Sequence, residues 1–430
     1  MRSPKTLEQT FLWKGGIILK KKSRAPRQNI FFYRLAQVVC WFVAKFTFRR
    51  KFLRNEIKGK KGPFVVIANH EAAYDFVNLI GATATPMTFV VSESFYNTLP
   101  VKGVMSRMGV IPKQQFQTTL SDIKRMKAVI DAGRVLVIYP AGLMCEDGVS
   151  TPIPPATYQF LKWIRADIYV ARTKGTYFAM PKWAKGLRPG KTYMDIYKLF
   201  DKEELQALPN DEIRARGEQA LLFDAYREQE ELLVKYKNGD HIEGLENVLY
   251  QCPHCKKEFS MRVRGKNTIY CKKCGFEEIS DKYAFLHNER GVGEEIRYVS
   301  DWSRMIYDEL KEKIERGLEE KLSSAARFQM IDYEKHRFVD VGEGRITLSK
   351  TDFHLVGTVH NAEVDVRIPI HDFASLPFKP GKHLEIQSGD HIYRCVLEDG
   401  KLAMKYINMV KIFYELHVRE IAARVRAEAE

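Results

Sequence analysis

Acidic side chains are almost missing from the first 62 residues, where Glu8 and Glu56 stand against 17 Lys and Arg. That segment holds the whole formal charge of +15, and the other 368 residues, with 52 basic and 52 acidic groups, are neutral. A charge excess confined to one end belongs to that segment and calls for an anionic partner surface, a membrane or a nucleic acid. A long hydrophobic run is missing too. The uncharged stretch Leu35–Ala44 spans about 15 Å as a helix against a hydrocarbon core of ~30 Å, which argues against a crossing. Lys14 interrupts the first apolar stretch, so no secretory signal is expected. Cysteine is scarce as well: four of the seven sit in paired CxxC units, which excludes a disulfide framework and points to metal binding in a reducing compartment. The expected location is the cytoplasm or the cytoplasmic face of a membrane. There is no internal repeat or low-complexity tract, and 430 residues at 45% hydrophobic fit about three globular domains.

The basic end also contains the aromatic run Ile30–Phe48. At 100° per residue Arg34, Gln37, Trp41 and Lys45 share one narrow stripe, and the rest of the cylinder is apolar. The expectation is a helix lying in a membrane interface, with its cations reaching toward phosphates; the alternative is an ordinary buried helix with two charges at its rim.

Beyond it, Phe64–Ala68, Thr88–Val91, Arg134–Tyr139 and Ile168–Arg172 read as buried strands. Ser121–Ala132 reads as a helix capped by Ser121 and stopped by Gly133. This alternation predicts an α/β domain over 63–245, a mixed sheet flanked by helices, after the basic aromatic region 1–62. A cysteine module (246–282) and a helical connector (283–325) follow. From 326 to 430 period-two segments predict a small β-domain closed by a helix from Leu402 to Arg426, with turns at residues 342–344, 360–362, 388–390 and 398–400. In pattern this last part resembles pleckstrin-homology or GRAM-type domains.

Cys252 and Cys255 are separated by 15 residues from Cys271 and Cys274. Two CxxC knuckles supply a tetrahedral S₄ set that suits Zn²⁺, and four thiolates leave no position open for water, so the predicted metal is structural. His254 is not expected to be a ligand. Residues 250–281 carry only seven basic groups against four acids, which makes nucleic acid an unlikely partner.

His70 and Asp75 follow the apolar strand Phe64–Ala68. A turn between strand and helix would let the carboxylate hold one imidazole nitrogen while the other takes a proton from a hydroxyl. The same spacing at His360–Asp365 has no apolar strand leading into it and serves as the chance example.

Three blocks in order set His70 apart: Asn69-His70 with Asp75, then Gly109-Val110-Ile111, then Tyr139-Pro140-Ala141-Gly142-Leu143-Met144-Cys145 after a strand. Over about Pro63–Trp183 they resemble the PlsC-like lysophospholipid (1-acylglycerol-3-phosphate) acyltransferase family, whose third block usually reads Phe-Pro-Glu-Gly-Thr-Arg-Ser. This chain has Ala141 and Met144 where the family has Glu and Arg, though Glu146 and Asp147 follow. The second block's usual Arg falls near Gln114 or Gln115, and Ala72 replaces a usual Ser. The resemblance implies acyl transfer from a thioester, acyl-CoA or acyl-carrier protein, to the hydroxyl of a lysophospholipid at an anionic membrane surface. In it His70 would be the general base, oriented by Asp75, with Asn69, Lys113, Gly142, Arg172 and Lys174 near the acceptor and its phosphate. Backbone N–H groups at the start of the next helix would stabilise the oxyanion. A non-catalytic membrane scaffold on the same fold is the alternative from another class.

Overall fold

The computed structural model describes residues 24–98, 102–115, 118–389 and 391–429. The first 23 residues, which hold part of the basic end, lie outside the described residues.

The first sheet contains β1 (Lys51–Asn55), β2 (Phe64–Ala68), β3 (Met87–Ser92), β4 (Ile111–Lys113), β5 (Val135–Ile138), β6 (Asp167–Lys174) and β7 (Tyr193–Phe200), in the order β1-β7-β6-β2-β5-β3-β4. Only the β6–β7 pairing is antiparallel. All five residues of β2 are buried, as a central strand covered on both faces requires. Phe64, Val66 and Ala68 pack with Tyr33, Ala36 and Cys40 of the helix Ile30–Phe46. Val65 and Ile67 pack on the opposite face with Met126, Val129, Leu161 and Ile213. This is the expected mixed sheet between helices. β1, which falls in the basic segment, is one of its edges.

The helix predicted from Ser121 spans Leu120–Asp131, and its cap is Thr119: Thr119 Oγ1 accepts from Asp122 N–H while the Asp122 carboxylate accepts from Thr119 N–H. A reciprocal capping box needs an acid three residues after the cap, which Thr119 has and Ser121 lacks.

The second sheet, β8 (Met261–Arg264), β9 (Thr268–Cys271), β10 (Glu277–Ser280) and β11 (Leu286–His287), is the cysteine module. The helix of the connector is Val299–Glu315, shorter than the predicted helical region, because Lys321 already begins β12 (Lys321–Asp332). With β13 (Arg337–Ser349), β14 (Asp352–Val359), β15 (Ala362–Pro369), β16 (Phe378–Lys379), β17 (His383–Ser388) and β18 (His391–Leu397) it forms an antiparallel sheet closed by the helix Leu402–Ala429. The Gly342-Glu343-Gly344 triplet is not a turn: it lies inside β13. Its glycines let the strands approach, since a Cβ on Gly344 would sit 2.1 Å from Val356 O and one on Gly342 1.8 Å from Thr358 O. The turn at 360–362 is present, with His360 and Asn361 at φ 50° and 63°. Asp365 pairs across the strands with His354, at 2.8 Å. The His360–Asp365 spacing therefore brings together no pair of its own.

Candidate active site

β2 ends at Ala68, and the chain turns before a helix that begins at Asp75. Asn69 pins that turn to β6: its Nδ2 donates to Thr173 O (2.8 Å) and its Oδ1 accepts from Thr173 N–H (2.7 Å). His70 Nδ1 lies 2.9 Å from Asp75 Oδ2, so the spacing that could not pair on one helix does pair across the turn. Asp75 is almost fully buried and accepts from Ala72 N–H on Oδ2 (3.0 Å) and from Thr176 Oγ1 on Oδ1 (2.6 Å). Asp75 Oδ2 accepts a hydrogen bond from the Nδ1–H of His70, which leaves Nε2 with its lone pair. Tyr139 packs its ring on the imidazole at 4.6 Å between centroids.

Thr176 arrives from far along the chain. β6 ends at Lys174, and Gly175 at φ 87° turns the backbone so that Thr176 comes back over the turn. A side chain at 175 would strike the Tyr236 hydroxyl at 2.3 Å. Thr176, Thr173 and the buried Glu71 have no place in the sequence reading, and Tyr139 enters it only as the end of a strand and the first residue of the third block. For Glu71 there was a signal, an acid between the base and an apolar stretch.

Beside His70 lies a small, open recess bounded by Ala68, Asn69, Pro140, Ala141, Ser150, Thr151, Ile153, Leu221 and Phe223. It brings the first and third motif blocks together, with apolar walls and two hydroxyls. Asn69 borders this space, but its carboxamide is engaged with β6 and Glu71. Gly142, at φ 69°, accepts from Gln115 Nε2 (2.7 Å), which joins the second block to the third.

The cations expected near the acceptor sit differently. Arg172 and Lys174 both turn to Glu228 on the helix Ala225–Leu232, so their charge is compensated inside the protein rather than presented as an open phosphate cradle. Lys113 Nζ donates to Gln114 O (3.0 Å), and burial holds its pKa below the usual lysine range, with Asp122 acting in the opposite sense. Glu146 and Asp147 face away from the recess toward the C-terminal half of the chain. Lys411 donates to Glu146, and Ser303 Oγ to Asp147 Oδ2 at 2.7 Å. Near the start of the helix after His70, where backbone N–H groups were expected to serve an oxyanion, those of Ala72 and Asp75 are engaged by Asp75 Oδ2 and Ala72 O.

In the cysteine module the four sulfurs lie within 4.8 Å of one another, with Cys252–Cys274 at 3.6 Å and Cys255–Cys271 at 3.7 Å. A tetrahedral Zn²⁺ with bonds of ~2.3 Å sets its ligands about 3.8 Å apart, so this donor set fits the ion. His254 stands outside it. Ser260 Oγ and Lys273 N–H approach Cys271 Sγ at 3.2 and 3.4 Å, contacts that would steady a thiolate. Lys256 and Arg264 are paired with Glu309 and Glu277, which further thins the ribbon's basic surface.

The Acyltransferase family model matches residues 46–176. Among the curated proteins none matches the chain. Similar solved structures include the crystal structure of the 1-acyl-sn-glycerophosphate (LPA) acyltransferase PlsC from Thermotoga maritima, at 18% identity and a TM-score of 0.38, covering 46% of this chain and 82% of that one. Residues 46–176, which carry His70, Asp75 and all three motif blocks, are a domain of the acyltransferase family.

Proposed function

We propose that the protein is a membrane-associated acyltransferase that moves an acyl chain from a thioester, acyl-CoA or acyl-carrier protein, to the hydroxyl of a lysophospholipid such as lysophosphatidic acid. The observation that carries this reading is the His70–Asp75 pair at the mouth of the recess, inside the acyltransferase domain. His70 Nε2 removes the acceptor's hydroxyl proton as the oxygen attacks the thioester carbonyl. The tetrahedral intermediate then collapses, the C–S bond breaks, and the proton passes to the departing thiolate. Asp75 holds the tautomer and stabilises the imidazolium. Ile153, Leu221 and Phe223 give the recess beside the base apolar walls against which the thioester's acyl chain would lie. The test is incubation with acyl-CoA or acyl-carrier protein and a panel of lysolipids, read by mass spectrometry. A diacyl product supports the reading; vesicle binding without turnover on any acceptor supports the scaffold alternative, which the Ala141 and Met144 replacements favour.

The helix Ile30–Phe46 supports attachment to a bilayer, although half of its polar stripe is engaged within the protein. Gln37 Nε2 donates to Ile80 O and Thr83 O, and Arg34 Nη1 to Ala84 O, so half of that stripe is docked at the end of the helix Asp75–Ile80. The face turned away from the sheet, opposite Tyr33, Cys40 and Ala44, is bare: Phe31 is 72% and Phe46 63% exposed, with Leu35, Val38, Val39 and Phe42 between them. Lys45 Nζ lies over the Trp41 and Phe46 rings, and Arg49 and Lys51 are exposed just past the end of the helix. No described helix is long and apolar enough to cross a membrane, and a one-sided apolar face rimmed by cations suits the interface. Replacing both Phe31 and Phe42 with Glu removes two insertions worth about 1.5–3 kcal/mol each. Co-sedimentation with phosphatidylglycerol vesicles is expected to weaken at least about a hundredfold, at ~1.4 kcal/mol per decade, while the fold is kept. Unchanged binding would refute the interfacial assignment.

A further inference from the structure

Glu71 follows the base directly in sequence, and its side chain is wholly buried. Its Oε1 accepts from Asn69 Nδ2 (3.2 Å), its Oε2 accepts from Tyr177 N–H (3.0 Å), and Oε2 also stands 3.0 Å from Thr176 Oγ1. The same hydroxyl lies 2.6 Å from Asp75 Oδ1. A hydroxyl has one proton to give. The shorter contact takes it, since Asp75 has to carry the charge that faces the imidazole. The Glu71–Thr176 contact is then two acceptors with nothing between them, unless the carboxyl itself supplies the proton.

The surroundings favour that state. Two ionised carboxylates around one hydroxyl repel each other in a dry site, and the acid with fewer strong donors keeps its proton. Besides Asp75, the charged group beside Glu71 is Glu228, whose charge is met by Arg172 and Lys174, and the Tyr236 phenol and Cys145 thiol complete the titratable neighbours. Burial first, then Glu228 and Asp75, push the Glu71 carboxyl up to about 8.

We propose that Glu71 is a positioning residue for the base: as an uncharged acid it donates to Thr176 Oγ1, Thr176 donates to Asp75 Oδ1, and Asp75 Oδ2 is left to hold Ala72 N–H and the Nδ1–H of His70. The chain Glu71–Thr176–Asp75–His70 links β2 to the turn after β6. It gives the imidazole one orientation.

The neutral form is the working one, so the contribution is present below about pH 8 and is lost as the pH rises through that value, when a second charge competes for the Thr176 proton. The kinetic arm of the test rests on the proposed acyl transfer. Glu71→Ala is expected to lower kcat by about tenfold or more with KM little changed. Glu71→Gln, whose carboxamide can donate to Thr176 but leaves Tyr177 N–H without its acceptor, recovers part of that and lacks the fall above pH 8 that the wild type shows. Thr176→Val, which breaks the chain at its middle link, matches Glu71→Ala and replaces it should that variant not fold. A second arm needs no turnover. The downfield proton resonance of His70 Nδ1–H, assigned by its loss in His70→Ala, should be present in the wild type and in Glu71→Gln and weakened or shifted in Glu71→Ala and Thr176→Val. A carboxylic-acid C=O infrared band at pH 7 should disappear in Glu71→Gln. The same alkaline fall in Glu71→Gln, an unmoved His70 resonance in the Ala and Val variants, or no acid band assignable to Glu71 overturns the proposal. A wild type inactive on every acceptor overturns the reaction instead, and the spectra then decide the role of Glu71 alone.

Discussion

His70→Ala is expected to reduce acyl transfer by about a thousandfold, within the span of ~10²–10⁴ that a positioned general base supplies, with the melting temperature almost unchanged. The imidazole is partly exposed, and its described side-chain partners are Asp75 and the face of Tyr139. Its removal therefore opens no deep cavity and leaves Asp75 with the Ala72 N–H and the Thr176 hydroxyl. Asp75→Asn makes the complementary test. An Asn oxygen can still face Ala72 N–H and His70, and its NH₂ can donate to Thr176 Oγ1, so the geometry survives while the charge that stabilises the imidazolium is gone. A loss of about a hundredfold is expected from that change alone. Because the two residues act as a unit, the double variant should be no worse than His70→Ala. Parallel assays of the three variants with labelled acyl-CoA and lysophosphatidic acid, alongside circular-dichroism melts, read both quantities. Full activity in folded His70→Ala would remove the catalytic reading.

The parts of this site that were legible in the sequence are those encoded within a few residues. Phe64–Ala68 is a run of five apolar residues because the strand is covered on both faces, and the acyltransferase motif places His70 and Asp75 at its exit. Four cysteines in two knuckles announce themselves by spacing. What was not legible depends on contacts across the fold. Thr176 reaches Asp75 over 101 residues of chain, and only the turn at Gly175 brings it there. Arg172 and Lys174 look like available cations until Glu228, on another element, is seen to hold them. The Gly-Glu-Gly triplet in β13 has turn composition, yet its glycines serve strand approach, and local composition does not separate the two uses. The polar stripe of the helix Ile30–Phe46 was identified correctly as a stripe. Its partner turned out to be the carbonyls at the end of the helix after His70, and helical periodicity marks a distinct face without naming what covers it.

Removing the metal is expected to unfold the ribbon and loosen what is built on it, leaving the catalytic sheet standing. The ribbon is too small to hold itself with apolar packing alone, and structural zinc sites contribute about 10–16 kcal/mol of apparent binding free energy to folding. Phe276, Met261 and Ile269 share one apolar cluster with Trp302, Leu310 and the C-terminal residues Tyr406 and Val410. The strands β2 and β5 belong to two other clusters, although Ala44, Val77 and Tyr177 beside the site share the ribbon's own. Trp302 reports directly on the junction: its ring meets Phe276 edge to face at 5.5 Å, and its Nε1 donates to Gln251 O at 2.9 Å, one residue before Cys252. Chelation, or Cys271→Ser, should therefore shift tryptophan emission to the red and strip amide-exchange protection from residues 250–287 and from the helix Val299–Glu315. Protection in Phe64–Ala68 and Val135–Ile138 should persist. The purified protein should contain one zinc per chain by elemental analysis. A chain without stoichiometric metal, or a chelated one with unchanged Trp302 emission and exchange, would show that the four thiols close the ribbon without an ion. Uniform loss of protection through β2 and β5 would show that the ribbon and the acyltransferase domain unfold as one unit, coupled through contacts such as Lys411 with Glu146 and Ser303 with Asp147.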